Sequence, residues 1–320
     1  MGQPTPSDVH IDAALTDVAI AYIQDQTNFI ASQAMPTKPV QHQTNKFFKF
    51  VKDDWNRDDA VKKRAPGEAA PRSGMTLSND SYSADAWWTE VPLSDMVRSN
   101  ADPSLPLDQA ASRLVTQRML IRKDRLFVTK FLATGIWGTD VVGATDFTKW
   151  DDYASDPQKD IDTGKNVILK NTGFEPNKLT VAYNVHQALK RHPLIKDQIK
   201  YTTSESITEA IIAKFFEVDR YIVAKSVYSS SNEGAASKTM AFTVGPHALL
   251  SYDDGTPSIM APCAAAIFTW TGLTGINAEG VAIDQYYDVK TKEDVVRGQF
   301  AFDMKVIGTD LGYFFSAATA

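Results

Sequence analysis

The side chains able to do chemistry are few and scattered. Histidines stand at His10, His42, His186, His192 and His247. His186 and His192 share a stretch, but their spacing does not put both on one helical face, as a metal pair four residues apart would be. Structural or surface roles are therefore expected for them. Cys263 is the 1 cysteine of the chain, which excludes an internal disulfide and any multi-thiolate zinc site. Its setting, MAPCAAAIF, is that of a small buried hydrophobe. Gly135, Gly138 and Gly143 have no Lys-Ser/Thr after them and follow a helix, which suits turns and not a phosphate cradle. The run DDWNRDD at 53–59 is rich in carboxylates but lacks the central glycine and terminal Glu of an EF-hand loop. SYDDGTPS at 251–258 reads as a turn, and no GxSxG marks a serine nucleophile. No catalytic, cofactor-binding or metal-ligating residue is assigned, and an enzyme is not expected.

The bulk numbers bound the answer in the same direction. A chain of 320 residues with 43% hydrophobic residues can bury sizeable cores. A net charge of −6 argues against a dedicated nucleic-acid binder, which shows a basic excess. No apolar run is long enough to span a bilayer, and MGQPTPSDVH lacks a signal-peptide pattern. Synthesis and retention in a cytosol are expected.

What must position any functional surface is the stretch LPLDQAASRLVTQRMLIRKDRLFVTKFLA, from Leu105 to Ala133. It predicts one long helix, capped by Asp102 or Ser104, opened by Pro106 and stopped before Gly135. At 1.5 Å per residue it is a rod roughly 40 Å long. Leu114, Ile121, Val128 and Leu132 form one stripe, Val115, Met119 and Leu126 a second, and Leu120, Phe127 and Phe131 a third. Only a narrow face, with Arg118, Arg122, Arg125 and Thr129, stays polar. A rod apolar over most of its circumference needs cover from several sides, from its own chain or from neighbouring subunits. The arginine face is read as salt bridging, within the chain or between subunits.

Residues 1–45 read as an arm with a short amphipathic helix carrying Leu15, Val18, Ala19, Tyr22 and Ile23, turning extended around Pro36 and Pro39. KFFKFVK then alternates as a strand, with Phe48 and Phe50 on one face, and ADAWWTEVPL, with Trp87 and Trp88, is its expected partner. The excursion between them, Asp53 to Ser83, holds Asp53, Asp54, Asp58, Asp59, Glu68 and Asp80 against Arg57, Lys62, Lys63, Arg64 and Arg72. So long a polar loop is expected to work outside its own domain, over a neighbouring copy.

Beyond the spine, a turn-rich connector with a short hairpin leads to a helix from Asp156 or Pro157 to about Asn171, stopped by Gly173. KLTVAY is a buried strand, Asn184 caps VHQALKRH, and Pro193 ends it. Ser204 or Ser206 caps ITEAIIAKFFEV, and YIVAKSVY, MAFTVG and AAIFTWT are strands. From Val295 to Ile307, Phe300, Phe302, Met304 and Val306 alternate with Gln299, Ala301, Asp303 and Lys305, a strand with one buried and one wet face. Its buried face is expected to close on the spine across an inserted domain. The mixture is α+β.

In this order the segments resemble the major capsid proteins of tailed bacteriophages. The likeness rests on the paired KFFKFVK and ADAWWTEV, the spine LPLDQAASRLVTQRMLIRKDRLFVTKFLA and the returning VRGQFAFDMKVIG, with FIASQAMPTKPV and NKLTVAYNVHQALKRHPLIKD adding weight. The resemblance implies an N-terminal arm (1–45), an extended loop (46–97), a peripheral domain joining the spine region (98–155) to the tail (286–320), and an axial domain (156–285). It implies assembly of pentamers and hexamers into an icosahedral virion shell around double-stranded DNA, in a bacterial host cytoplasm. The implied partners are many copies of the chain, a portal, possible decoration proteins and, since only about 45 residues precede the loop, a separate scaffolding protein or none. The acidic balance suits a shell through which DNA is packed and ejected. Intersubunit contacts are expected at Phe48, Phe50, Asp53, Asp54, Arg57, Asp58, Asp59, Lys62, Lys63, Arg64, Trp87, Trp88, Arg118, Arg122 and Arg125. Some relatives cross-link a loop Lys to a neighbour's Asn; Lys62 and Lys63 lie near the tip, but nothing marks a partner, and that chemistry is not carried over. An encapsulin-like cage shares the architecture, and a cytosolic α+β enzyme using the Asp53–Asp59 cluster is the alternative from another class.

Overall fold

The computed structural model describes residues 23–50, 52–58, 61–63, 66–67, 69, 72–101, 107–200, 207–255, 261–273 and 281–320, with the side chains of Phe50 and Lys200 excepted. The amphipathic segment around Leu15 to Tyr22, the caps at Asp102, Ser104, Ser204 and Ser206, and residues Asp59 and Arg64 lie outside these.

In chain order the N-terminal half runs through α1 (Ala31–Ala34), β1 (Thr37–Val40), β2 (Thr44–Phe50), α2 (Lys52–Trp55), β3 (Leu77–Ser83), β4 (Asp85–Ser94), α3 (Asp95–Asn100) and α4 (Leu107–Phe131). The middle holds β5 (Thr139–Val142), α5 (Pro157–Thr172), β6 (Lys178–Ala182), α6 (Tyr183–Arg191), α7 (Pro193–Lys200), α8 (Glu209–Phe215), β7 (Arg220–Ala224), β8 (Val227–Ser229) and β9 (Met240–Phe242). The chain closes with β10 (Ala248–Ser251), β11 (Ala265–Trp270), β12 (Val281–Asp288), β13 (Glu293–Val306) and β14 (Gly312–Ser316).

Two five-stranded sheets carry the architecture. In the first, β1 runs parallel to β11, β11 antiparallel to β13, and β13 is flanked by antiparallel β12 and β4. In the second the order is β5-β14-β10-β6-β7. The terminal strand β14 sits within this second sheet, between β5 and β10, so the tail ties the spine's downstream connector to the middle of the chain.

The spine forms over 25 residues, close to the expected span, but its burial is narrower than the three apolar stripes suggest. Ala111, Val115, Met119, Phe127 and Phe131 are buried, following every fourth residue along one slanted stripe. Leu114 stays 42% exposed, and Leu120, Ile121, Leu126 and Val128 are half-buried. The stripe lies on β13, as its alternation predicts. Contact is so close that a Cβ on Gly298 would stand 2.3 Å from Val115 Cγ1 and 2.4 Å from Met119 Sδ. Glycine in mid-strand here admits the helix against the sheet backbone.

Several expectations are corrected. KFFKFVK pairs with β3 and not with ADAWWTEVPL, which as β4 pairs along β13 from Asp85–Phe302 to Ser94–Glu293. LSNDSYS has no apolar alternation to advertise a strand, whereas the Trp-bearing strand finds cover against the spine-backed sheet. The wet face of β13 is only partly wet: Gln299 and Ala301 are buried. The base of the β2–β3 ribbon lies on this side of the sheet, with Phe47 and Tyr82 on Phe268 and Ser83 N donating to Asp303. Thr139–Val142 does not form a hairpin within the connector but pairs parallel to β14. Asn184 lies inside α6, whose N-cap is Ala182 without a side-chain bond, because β6 runs straight into the helix. Pro193 both follows α6 and opens α7, a position where its missing N–H costs nothing. YIVAKSVY splits at Lys225–Ser226 into β7 and β8. The helix over Pro157–Thr172 is as expected, with Asp156 accepting from Lys159 N at 3.1 Å and Gly173 at φ 79°.

Three histidines sit in this core. His192 Nε2 is 3.2 Å from Ser155 Oγ, His186 Nδ1 is 3.1 Å from Tyr221 Oη, and His247 Nδ1 accepts from Ala317 N at 3.1 Å. Burial lowers the pKa of His186 and His247.

Two predictions follow from this packing. Gly298→Val should destabilise the chain by about 2–3 kcal/mol in chemical denaturation, because Val115 and Met119 must move off the sheet. Since His186 and His247 take up protons more readily unfolded than folded, stability should fall as pH drops below about 6.5, the ordinary histidine value. His247→Gln should flatten that dependence of Tm on pH.

Candidate functional site

No metal-binding group of three or more His, Cys, Asp or Glu side chains occurs among the described residues. The broad surface depressions are lined by Phe147 and Asp152, by Ser32 and Tyr221, and by Asp156 and Asn166, away from the Asp53–Asp58 run where an enzyme's pocket was to be sought. Three surfaces are built by the described residues.

The first is the β2–β3 hairpin. Strand alternation gives it two unlike faces. On one, Phe47 stacks on Phe268 at 5.4 Å and Tyr82 on the same ring at 4.7 Å, which anchors the ribbon's base on β11. On the other, Phe48 is 66% and Leu77 50% exposed. Beyond the strands, Trp55, Val61 and Met75 are exposed as well. Asp54 accepts from Thr76 N at 2.6 Å, joining the two limbs past the strands, and that bond holds its pKa below the ordinary carboxylate value. Asp53, Arg57, Asp58, Lys62 and Lys63 are exposed around the tip. A two-stranded ribbon with a bare apolar face is marginal by itself and marks an interface.

The second is the anchorage of the arm. The spine's Asp124, 1% exposed, accepts from Ala31 N at 3.0 Å and Ile30 N at 3.2 Å, capping α1 from outside, and from Ser226 Oγ at 2.8 Å. Lys123 Nζ donates to Ser32 Oγ at 2.8 Å. Burial raises the Asp124 pKa, while the three donors and Lys123 oppose the shift. At the far end of α1, Lys178 Nζ donates to Ala34 O and is ion-paired with buried Asp253. The expectation that the arm lies over neighbours is thus corrected for its described part: residues 25–40 are bolted to their own spine and to β11. Sequence reading missed Asp124 and Lys178. The available signal was an acid placed inside an otherwise apolar and basic rod.

The third is the exposed charge on the spine and the outer face of the first sheet. Arg122 lies over the Trp87 ring at 4.4 Å and Arg125 over Tyr228 at 4.5 Å, while Arg118 is exposed. These arginines stack on aromatics of their own chain, where salt bridges were expected. On the outer face, Arg297 pairs with Asp284 and lies 5.2 Å from both Trp88 and Tyr286. The structure so brings Trp88 to Arg297 and Trp87 to Arg122, but gathers neither beside the hairpin tip with Asp53 and Lys62.

The comparisons bear on this arrangement. No family model matches the sequence. The major capsid protein of the Burkholderia phage BcepMu is 24% identical over 226 residues, 70% of this chain and 71% of that one. Among solved structures, a phage-related protein from Bordetella bronchiseptica superposes with a TM-score of 0.68 at 23% identity, covering 92% of this chain and 93% of that one. The capsid of the cyanophage P-SCSP1u gives 0.58 at 9% identity, with 97% and 93% covered. The SrpI encapsulin of Synechococcus elongatus gives 0.54 at 12% identity, with 97% of each chain covered.

The chain has the major capsid protein fold of tailed phages. Asp124→Ala should cost about 2–4 kcal/mol in chemical denaturation, since two buried backbone N–H groups and a hydroxyl lose their acceptor. Limited proteolysis of that variant should open new cuts between Ile30 and Met35.

Proposed function

We propose that this chain is the major capsid protein of a phage head, assembling in many copies into an icosahedral shell located in the virion. The observation that carries the reading is the union of a capsid-protein relative with a hairpin whose Phe48–Leu77 face its own chain leaves bare. A structural and not an enzymatic role goes with it. We assign the intersubunit contacts to that face and to the tip at Asp53, Asp54, Arg57, Asp58, Lys62 and Lys63, with Trp88 on the outer sheet face. Burial of the apolar face supplies association, and the mixed charges of the tip set register and penalise wrong pairings.

The same reading divides the chain into an arm (1–45), an extended loop (46–97), a peripheral domain (98–155 with 286–320) and an axial domain (156–285). The division follows the order of the chain, and strand pairing crosses it: β5 and β14 join β6, β7 and β10 in one sheet, and β4 and β11 join β13 in the other. Double-stranded DNA is the enclosed genome, a portal admits it, a separate scaffolding protein guides assembly, and a decoration protein is a further partner. The solved encapsulin favours one second reading, a cage around a protein cargo.

Purified full-length protein should sediment as particles of megadalton mass and show closed shells in negative stain; a persistent 35.3 kDa monomer overturns the proposal. Phe48→Glu should leave the melting temperature of the unassembled chain within a few degrees of wild type and abolish particles. Protein cargo in place of nuclease-protected DNA inside native particles would select the encapsulin reading.

A further inference from the structure

One surface remains without a role. The spine exposes Arg113, Arg118, Arg122, Arg125 and Lys130, whereas both of its acids are engaged, Asp108 with Arg98 and Asp124 with the arm. On a chain of net charge −6 this is a local reversal of sign. Arg118, Arg122 and Arg125 follow one another at four- and three-residue steps, so they share one helical face over about 10 Å of axis. None of the three has an ion-pair partner among the described residues. Arg122 and Arg125 lie over the Trp87 and Tyr228 rings, which hold the two guanidinium groups in place without neutralising them, and a guanidinium's N–H groups suit phosphate oxygens.

A second copy's hairpin tip is a poor complement to this stripe. Its described charges between the two strands, Asp53, Asp54 and Asp58 against Lys52, Arg57, Lys62, Lys63 and Arg72, are mixed and not acidic. A stripe of one sign calls for a partner of one sign. We propose that Arg118, Arg122 and Arg125 bind the phosphate backbone of nucleic acid held within the shell, without reading bases. The partner depends on the shell reading above, and the proposal adds that the open face of the spine turns inward. A few phosphate contacts on an acidic chain are weak, salt-dependent and exchangeable, which lets the polymer slide past them.

The test uses full-length chain, below the concentration at which sedimentation detects particles, and a fluorescein-labelled 30-bp duplex of arbitrary sequence. Anisotropy is followed across a salt series. Arg118→Gln should lower the steepness of log affinity against log salt by about 0.9, and the triple glutamine variant by about 2–3. The triple lysine variant should keep most of the wild-type steepness. An unchanged salt slope in the glutamine variants overturns the proposal. So does a triple glutamine variant that binds the duplex as wild type does but no longer forms particles, since that assigns the stripe to a second copy. Failure of the shell reading is distinguishable, because it shows in wild-type sedimentation at high concentration and not in the salt slope.

Discussion

The close approach of the spine to β13 is the contact on which the other features depend. With Val115 and Met119 seated over Gly298, the helix axis lies near the sheet and only one slanted stripe of the rod can be covered. A wider gap would admit larger side chains and broader cover, at the cost of the dense packing that makes a helix-on-sheet layer rigid. The consequence is a long, stiff element whose flanks stay partly bare: Leu114 is exposed and Leu120, Ile121 and Leu126 half-buried.

Onto this frame the N-terminal extension is fixed by bulk and by charge together. Phe29, Ile30 and Met35 are buried in the core, and α1 is held at one end by Asp124 and at the other by Lys178. Buried ionic groups contribute little net stability, but removing one partner strands the others, which makes such contacts strict about geometry. The exposed pairs Lys49–Asp80 and Lys225–Glu209 are of another kind and weigh little. Strictness sits where the extension meets the body, and tolerance sits on the rim.

What could be read in the residues followed their local signals. The spine, the helix from Pro157 to Gly173 and the Phe300–Met304 alternation announce themselves by period, cap and stop, and all three form. LSNDSYS was illegible as a strand because its partner supplies the pairing through backbone bonds, with little side-chain preference. The burial of Gln299 and Ala301 is set by segments far away in sequence that pack around β13, which no window of a dozen residues contains. The hairpin face was legible in Phe48, yet its second strand was misassigned, because Trp87 and Trp88 signal a strand more strongly than Leu77 does. Asp124 was hidden for the opposite reason: a single acid on a helix reads as solvated until a distant N-terminus is found resting on it.

The two bare surfaces differ in a way that constrains their partners. The hairpin joins an apolar face to a tip of mixed charge, and such a surface gains affinity by excluding water and specificity by matching alternate signs, so it suits another protein surface. The spine stripe has cations of one sign, two of them held in place by their own chain's aromatic rings, and no apolar core of comparable exposure between them. Burying it against protein would require a matched row of carboxylates, which the described hairpin does not offer. A polyphosphate meets the same demand with a uniform row of anions and no fixed register. The two surfaces thus make different demands on a partner, one of shape and one of sign, and those demands fall on different elements of the chain.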